Sequence, residues 1–242
     1  MTARRWAPAL ALLAFGCAGT DEPSADEVLE KMQAAIDVEH LRPSIQSLST
    51  TAEGFGPDGL FETTVTSIPP ASLYFREASP RGTTEIWSTP DSTWGGAAGE
   101  AYELLGPQVR EFIRNQEFHA MLLDLRARFS DFEFESRDSV EGTGCLRIAM
   151  RNEDGSAASI CIAEEDWLPV ELRLGPEAGA GTVRVRYGGW GVEDGLNLFH
   201  SLQVIDDADR TYTWNFTEIS LNEYARIRVP PPTLPRVRDG NE

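Results

Sequence analysis

The sequence has little positive charge. Of its 242 residues, 21 are Lys or Arg and 39 are Asp or Glu, which gives a formal net charge of −18. Affinity for nucleic acid depends on Lys and Arg side chains that neutralise phosphates, and anionic membrane surfaces attract the same residues. The composition therefore argues against a nucleic-acid partner, and against adhesion of the folded part to an anionic bilayer.

The sequence also has few of the residues that build catalytic and metal sites. Its three histidines, His40, His119 and His200, have no HExxH or paired spacing, the cysteines form no CxxC, and no GxSxG occurs. We therefore predict no metal, no cofactor and no enzyme; catalysis would require a polar cluster that forms only in the folded cleft. His119 and His200 are expected in the core or at its rim, and Gly188–Gly191 is expected in a loop.

No apolar run is long enough to span a bilayer as a helix, which takes about 20 residues. The N-terminus instead has Arg4 and Arg5, an apolar run over residues 7–15, and then Gly16-Cys17, an ending that resembles a bacterial lipobox. We predict a lipoprotein signal peptide over residues 1–16, lipidation of Cys17 with palmitate-type acyl chains, and a tether over residues 17–23. The alternative is an ordinary secretory signal with an incidental cysteine.

Export to the cell envelope makes the mature chain more acidic. Removal of residues 1–16 takes away two arginines and changes the formal charge from −18 to −20. Ala18, rather than Asp, follows the cysteine, which by analogy with enterobacterial sorting favours the outer membrane, facing the periplasm.

Two segments have helical periodicity. Ser24 and Glu27 have the spacing of a capping box, and the apolar residues that follow lie on one face of a helix. The stretch from Gly106 to Phe129 carries two apolar patches that are out of phase, which predicts a bend or break near residues 115–117.

The rest of the chain alternates apolar and polar residues with a period of two, as antiparallel strands with one buried face do. Gly, Pro and Asp turns separate the strands, so they form a meander of about 11 strands. The predicted strands span residues 60–68, 72–78, 82–89, 93–95, 131–139, 144–151, 158–163, 169–174, 182–187, 196–205 and 210–221.

A hairpin around the turn at residues 152–155 brings two cysteines close together. If Ile148 and Ile160 both face the core, the register sum is even, and Cys145 and Cys161 then share the opposite face. A register that pairs residue 145 with residue 161 places the thiols within disulfide reach, and an exported compartment permits the bond. The alternative is two free thiols.

The order of these features resembles the outer-membrane lipoprotein-sorting (LolA/LolB-like) superfamily. The resemblance rests on the exported N-terminus, the helix ADEVLEKM at residues 25–32, the central helical insert between strands, and the closing strand TWNFTEISLN at residues 213–222. It covers roughly residues 24–232, and we assign residues 24–229 to one half-barrel domain and residues 230–242, with four prolines, to an unpacked tail.

The resemblance implies an α+β fold: an unclosed, curved antiparallel sheet whose concave face is covered by helices above an apolar cavity. Members carry acyl chains or lipoproteins through the periplasm, or sense them. An anchored member would resemble the receptor LolB, although no loop here resembles the protruding apolar finger of that receptor.

From this resemblance and the alternation we predict a membrane-anchored lipoprotein that binds acyl chains or a lipidated protein. The alternatives are an ordinary filled core and a non-catalytic interaction module that uses its acidic outer face to meet an envelope protein partner. The residues predicted to line the cavity are Phe61, Phe75, Phe112, Phe118, Met121, Leu122, Phe132, Phe134, Tyr187, Tyr212, Trp214 and Phe216.

Overall fold

A computed structural model describes residues 22–69, 72–100, 102–175 and 181–223. The predicted signal peptide, the predicted lipidation site Cys17 and the tail over residues 230–242 lie outside the described residues, as does most of the tether. In the described part, no helix is long and apolar enough to cross a membrane.

The chain forms three α-helices and thirteen strands within its described part. The helices are α1 (Ala25–Ile36), α2 (Pro107–Arg114) and α3 (Phe118–Leu123), with short 3₁₀ turns at Arg42–Ser44 and Leu125–Ala127. The strands are β1 (Leu48–Gly56), β2 (Gly59–Ile68), β3 (Ser72–Ser79), β4 (Gly82–Ser88), β5 (Thr93–Ala97), β6 (Glu103–Leu104), β7 (Phe129–Val140), β8 (Thr143–Asn152), β9 (Ala157–Ala163), β10 (Pro169–Leu174), β11 (Val183–Glu193), β12 (Leu196–Ile205) and β13 (Thr211–Leu221).

All strands belong to one antiparallel sheet with the order β6-β5-β4-β3-β2-β1-β13-β12-β11-β10-β9-β8-β7. The chain runs outward from β1 to the edge strand β6, crosses to the opposite edge at β7, and returns to pair β13 with β1. Since α2 and α3 make that crossing, the helical insert spans the concave side of an open half-barrel. The predicted fold class is confirmed.

The strand count exceeds the prediction by two because β1 and β6 give weak patterns. β6 has only two residues, and β1 places the small residues Ala52, Gly54 and Gly56 on its buried face, where no apolar alternation is visible.

The loop prediction for residues 188–191 is wrong. These residues continue β11, where Gly189 takes a positive φ of 65° inside the strand.

The predicted break in the central insert is confirmed. α2 ends at Arg114 and α3 begins at Phe118, while Phe129 opens β7 and does not belong to the helical stretch. Arg128 holds the break in place: its guanidinium donates to the Arg114 carbonyl at 2.6 Å and pairs with Glu117 at 2.5 Å.

The cap of α1 differs partly from the predicted capping box. The Ser24 hydroxyl accepts a hydrogen bond from the Glu27 N–H at 3.1 Å, as predicted. The Glu27 carboxylate does not complete the box but pairs with Lys31 one turn later, at 2.7 Å. The hydroxyl cap therefore starts the helix without the reciprocal contact.

The disulfide between Cys145 and Cys161 is present, with a Cα–Cα distance of 5.6 Å. The register differs by two residues from the predicted one: Cys145 lies opposite Ala163, and Arg147 lies opposite Cys161. The register sum is still even, so both cysteines share the outer face, where Val140 packs against them. The bond thus runs diagonally between neighbouring strands.

Candidate functional site

Two separate apolar clusters fill parts of the concave side. The larger joins α1 and α3 to strands β1 and β7–β13, and its fully buried side chains include Met32, Ile148 and Phe199. The smaller joins α2 to strands β2–β4 through Ile113, Val65 and Phe75. A gap remains between them because the break after α2 changes which face of the insert points inward.

This gap is an open, mainly apolar cleft with a volume of about 480 Å³. Small-molecule sites in proteins span about 300–1,000 Å³, so the volume is sufficient for a ligand. The turns β1–β2, β3–β4 and β12–β13 contribute to its rim, and residues of α2 and the break form one wall. The lining residues are Gly56, Asp58, Gly59, Leu60, Phe61, Thr63, Phe75, Glu77, Ser79, Pro80, Arg81, Phe112, Asn115, Gln116, Phe118, Leu174, Val183, Val185, Val204, Asp206, Tyr212 and Trp214.

A cluster of aromatic side chains around Trp214 forms one side of the cleft. The Trp214 ring meets Phe61 edge-on at 5.4 Å between centroids, and Phe118 and Tyr212 lie at 6.0 and 6.2 Å. Gly54 makes this packing possible, since a Cβ there would lie 2.1 Å from a Phe61 ring atom. The glycine of β1 therefore sets where the Phe61 ring lies beside the cleft.

The structure brings six of the twelve predicted lining residues together at the cleft. These are Phe61, Phe75, Phe112, Phe118, Tyr212 and Trp214. The other six do not line it; they belong to the larger apolar cluster or pack against it, which agrees with the alternative of an ordinary core at those positions. They are Met121, Leu122, Phe132, Phe134, Tyr187 and Phe216. Ligand binding at the first six stays a prediction.

Several lining residues were absent from the predicted set. Val183, Val185 and Leu174 belong to alternating apolar stripes of β10 and β11, so the sequence contained a signal for their inward orientation but not for their place at a cleft. Glu77 gave no signal, because an acidic residue in a predicted strand suggests the solvent face.

The charged groups of the cleft differ in their pairing. Arg81 pairs with Asp58 at 2.8 Å, and Asp206 pairs with Arg210 at 2.7 Å and caps the β12–β13 turn. The Glu77 carboxylate has no hydrogen bond or ion pair within the described residues, and burial raises its pKa. Within the described residues, Glu77 is therefore the acidic lining residue without a charged partner.

His119 and His200 occupy core and rim positions, as predicted. The His119 ring is buried and stacks on Phe199 at 3.7 Å between centroids, and its Nε2 lies 2.9 Å from the Phe199 carbonyl oxygen. Burial lowers the pKa of His119 to about 3, so the ring is neutral at physiological pH. His200 is half-buried beside Glu193 at 3.3 Å. Across the described ranges, no group of three or more potential metal ligands occurs.

Comparison with known proteins identifies the fold. No protein-family model matches the sequence, and no curated protein matches it. Among solved structures, a LolA superfamily protein from Nitrosomonas europaea is similar, with a TM-score of 0.58 and 11% identity over 84% of this chain and 95% of that one.

Two further structures show the same architecture. A putative outer membrane lipoprotein-sorting protein domain from Vibrio parahaemolyticus has a TM-score of 0.55 and 10% identity over 82% of this chain and 94% of that one. A DUF1329 family protein from Desulfovibrio piger has a TM-score of 0.56 and 10% identity, covering 82% and 93%. The resemblance predicted from the sequence is thereby confirmed at the level of architecture: the described chain has a LolA-like fold.

Proposed function

We propose that this protein is a lipoprotein of the cell envelope that binds the acyl chain of a lipid or a lipidated protein in the cleft beside Trp214. In this proposal Cys17 carries the membrane anchor, the folded domain faces the periplasm from the outer membrane, and no catalysis takes place. The observation that carries the proposal is the apolar cleft of about 480 Å³ between the two filled clusters.

The cleft suits an alkyl chain because of its walls. Aromatic rings and the aliphatic side chains Val183, Val185 and Val204 form most of its surface, while polar groups lie mainly toward the rim. Each methylene that leaves water for such a surface contributes about 0.8 kcal/mol. About ten buried methylenes therefore provide roughly 8 kcal/mol, from which the loss of translational and rotational freedom on association is subtracted.

Phe112 offers a direct test. Its side chain lines the cleft yet is 57% exposed, so its replacement has little effect on the core. Phe112→Asp places a charge beside the bound chain, and we expect at least a tenfold loss of affinity for a fluorescent single-chain probe, because the ligand would have to desolvate that carboxylate.

Phe55→Asp is the matched control. Phe55 is 58% exposed and does not line the cleft, so the same substitution there adds the same charge and removes the same ring. We expect its affinity for the probe to equal that of the wild type. Equal loss in both variants, or no saturable uptake by the wild-type protein, would overturn the proposal.

A second candidate, a non-catalytic interaction module, is favoured by the filled part of the concave side. Half of the predicted lining residues pack in or against the larger cluster rather than at a cavity. Such a module would meet a basic envelope partner through its acidic surface, and its binding would weaken as salt screens the charges. Partner capture that falls with salt and is unaffected by Phe112→Asp would favour this candidate.

A further inference from the structure

Glu77 lies at the boundary between the apolar interior of the cleft and its solvent-exposed rim. Phe75 and Glu77 lie two positions apart on β3 and so face the same side of the sheet. Phe75 is buried, with 4% exposed, Glu77 is half-buried, and the Arg81 side chain at the following turn is 74% exposed. A chain inserted tail-first would therefore leave its head group near Glu77.

The electrostatics at this boundary favour a positive head group. The charges of Arg81 and Asp206 are each balanced by a partner, Asp58 and Arg210 respectively. Glu77 is without such a partner among the described residues. A carboxylate that loses hydration without gaining a hydrogen bond is costly, and a bound donor removes that cost.

We infer that Glu77 selects the head group of the ligand, so that the cleft takes single alkyl chains that end in an ammonium group and disfavours those that end in a carboxylate. This inference rests on the proposed function, since it assumes that the cleft holds an alkyl chain. It assigns the class of ligand: a cationic amphiphile whose nitrogen donates hydrogen bonds to the Glu77 carboxylate. A hydrogen bond to a charged partner corresponds to a preference of about tenfold or more.

The test compares three probes with the same twelve-carbon chain: dodecylamine, dodecanol and dodecanoate. Each displaces a fluorescent reporter from the purified full chain, at concentrations below its solubility limit and below any micelle formation, and at physiological salt, which screens the overall negative charge. We expect the amine to bind about tenfold more tightly than the alcohol, and the alcohol more tightly than the carboxylate.

Two variants separate Glu77 from the general acidity of the protein. Glu77→Gln should bring the affinity of the amine to that of the alcohol, and Glu77→Lys should reverse the order of amine and carboxylate. Glu53→Gln is the matched control, because Glu53 is exposed on β1, does not line the cleft and removes the same charge. We expect Glu53→Gln to keep the wild-type order.

The outcomes distinguish this inference from the proposed function. If none of the three probes displaces the reporter from wild-type protein, the proposed function fails. If all three bind the wild type equally, if the carboxylate binds most tightly, or if Glu77→Gln and Glu53→Gln change the order alike, the selection by Glu77 is refuted while chain binding stands.

Discussion

His119 makes the stability of the fold depend on pH in a predictable way. The folded protein keeps the ring neutral because burial lowers its pKa to about 3, whereas an unfolded histidine has a pKa of about 6.5. The unfolded chain therefore binds a proton at mildly acidic pH that the folded chain does not bind. The stability that His119 provides is complete above about pH 6.5 and is lost progressively as the pH falls toward 3.

The magnitude follows from the two pKa values. Between about pH 7.5 and about pH 5.5, the unfolded state gains nearly one proton over the native state, so the free energy of unfolding falls by roughly 1.4 kcal/mol from this residue alone. A further unit of acidification removes about the same amount again, because the native ring is still neutral there.

Chemical unfolding of wild type and His119→Gln at several pH values measures this effect. Glutamine keeps a donor for the Phe199 carbonyl but does not titrate, so the variant has a constant loss of stability from the missing ring contacts. The carboxylates titrate in both proteins, so their contribution cancels in the difference. The gap between the two proteins should narrow by about 1.4 kcal/mol from about pH 7.5 to about pH 5.5. Parallel stability curves would refute the buried, neutral histidine.

Three other substitutions test the structure. Cys145→Ser with Cys161→Ser should lower the free energy of unfolding by about 3 kcal/mol, because the bond closes a loop with a sequence separation of 16; oxidised and reduced wild type of equal stability would contradict this. Ser24→Ala removes the hydroxyl cap of α1 and should cost about 1 kcal/mol in thermal unfolding, and an unchanged melting temperature would argue against the cap. Gly54→Ala should cost roughly 1–3 kcal/mol, because its Cβ displaces the Phe61 ring; a fully stable variant with unchanged probe affinity would show that this glycine does not set the cleft.

The sequence predicted most of the sheet because a one-sided sheet repeats its pattern every two residues. Leu172 and Val185 alternate with Glu171 and Arg184, and their strands form where expected. The strands that escaped prediction depend on packing partners far away in sequence. In β1, for example, Gly54 packs against Phe61 and Gly56 packs against Tyr212, and no local sequence pattern predicts these contacts.

The candidate site was harder to predict for the same reason. Alternation indicated that Phe61 and Phe134 both face the helices, but only the crossing of the insert decides which of them packs against the larger cluster alone and which also lines the cleft. The position of Glu77 at the cleft could not be predicted, because the sequence pattern does not distinguish a half-buried acidic residue from an exposed one.

The sequence by itself determined eleven of the thirteen strands that the structure describes, the break in the central insert and the shared face of the two cysteines, since these depend on local periodicity and on the parity of a hairpin register. The tertiary structure alone decided where the two apolar clusters separate. The position of that gap depends on how α2 and α3 cross between the two edges of the sheet. Such contacts join residues distant in the chain, and they form only when the open, curved sheet has packed against the helices.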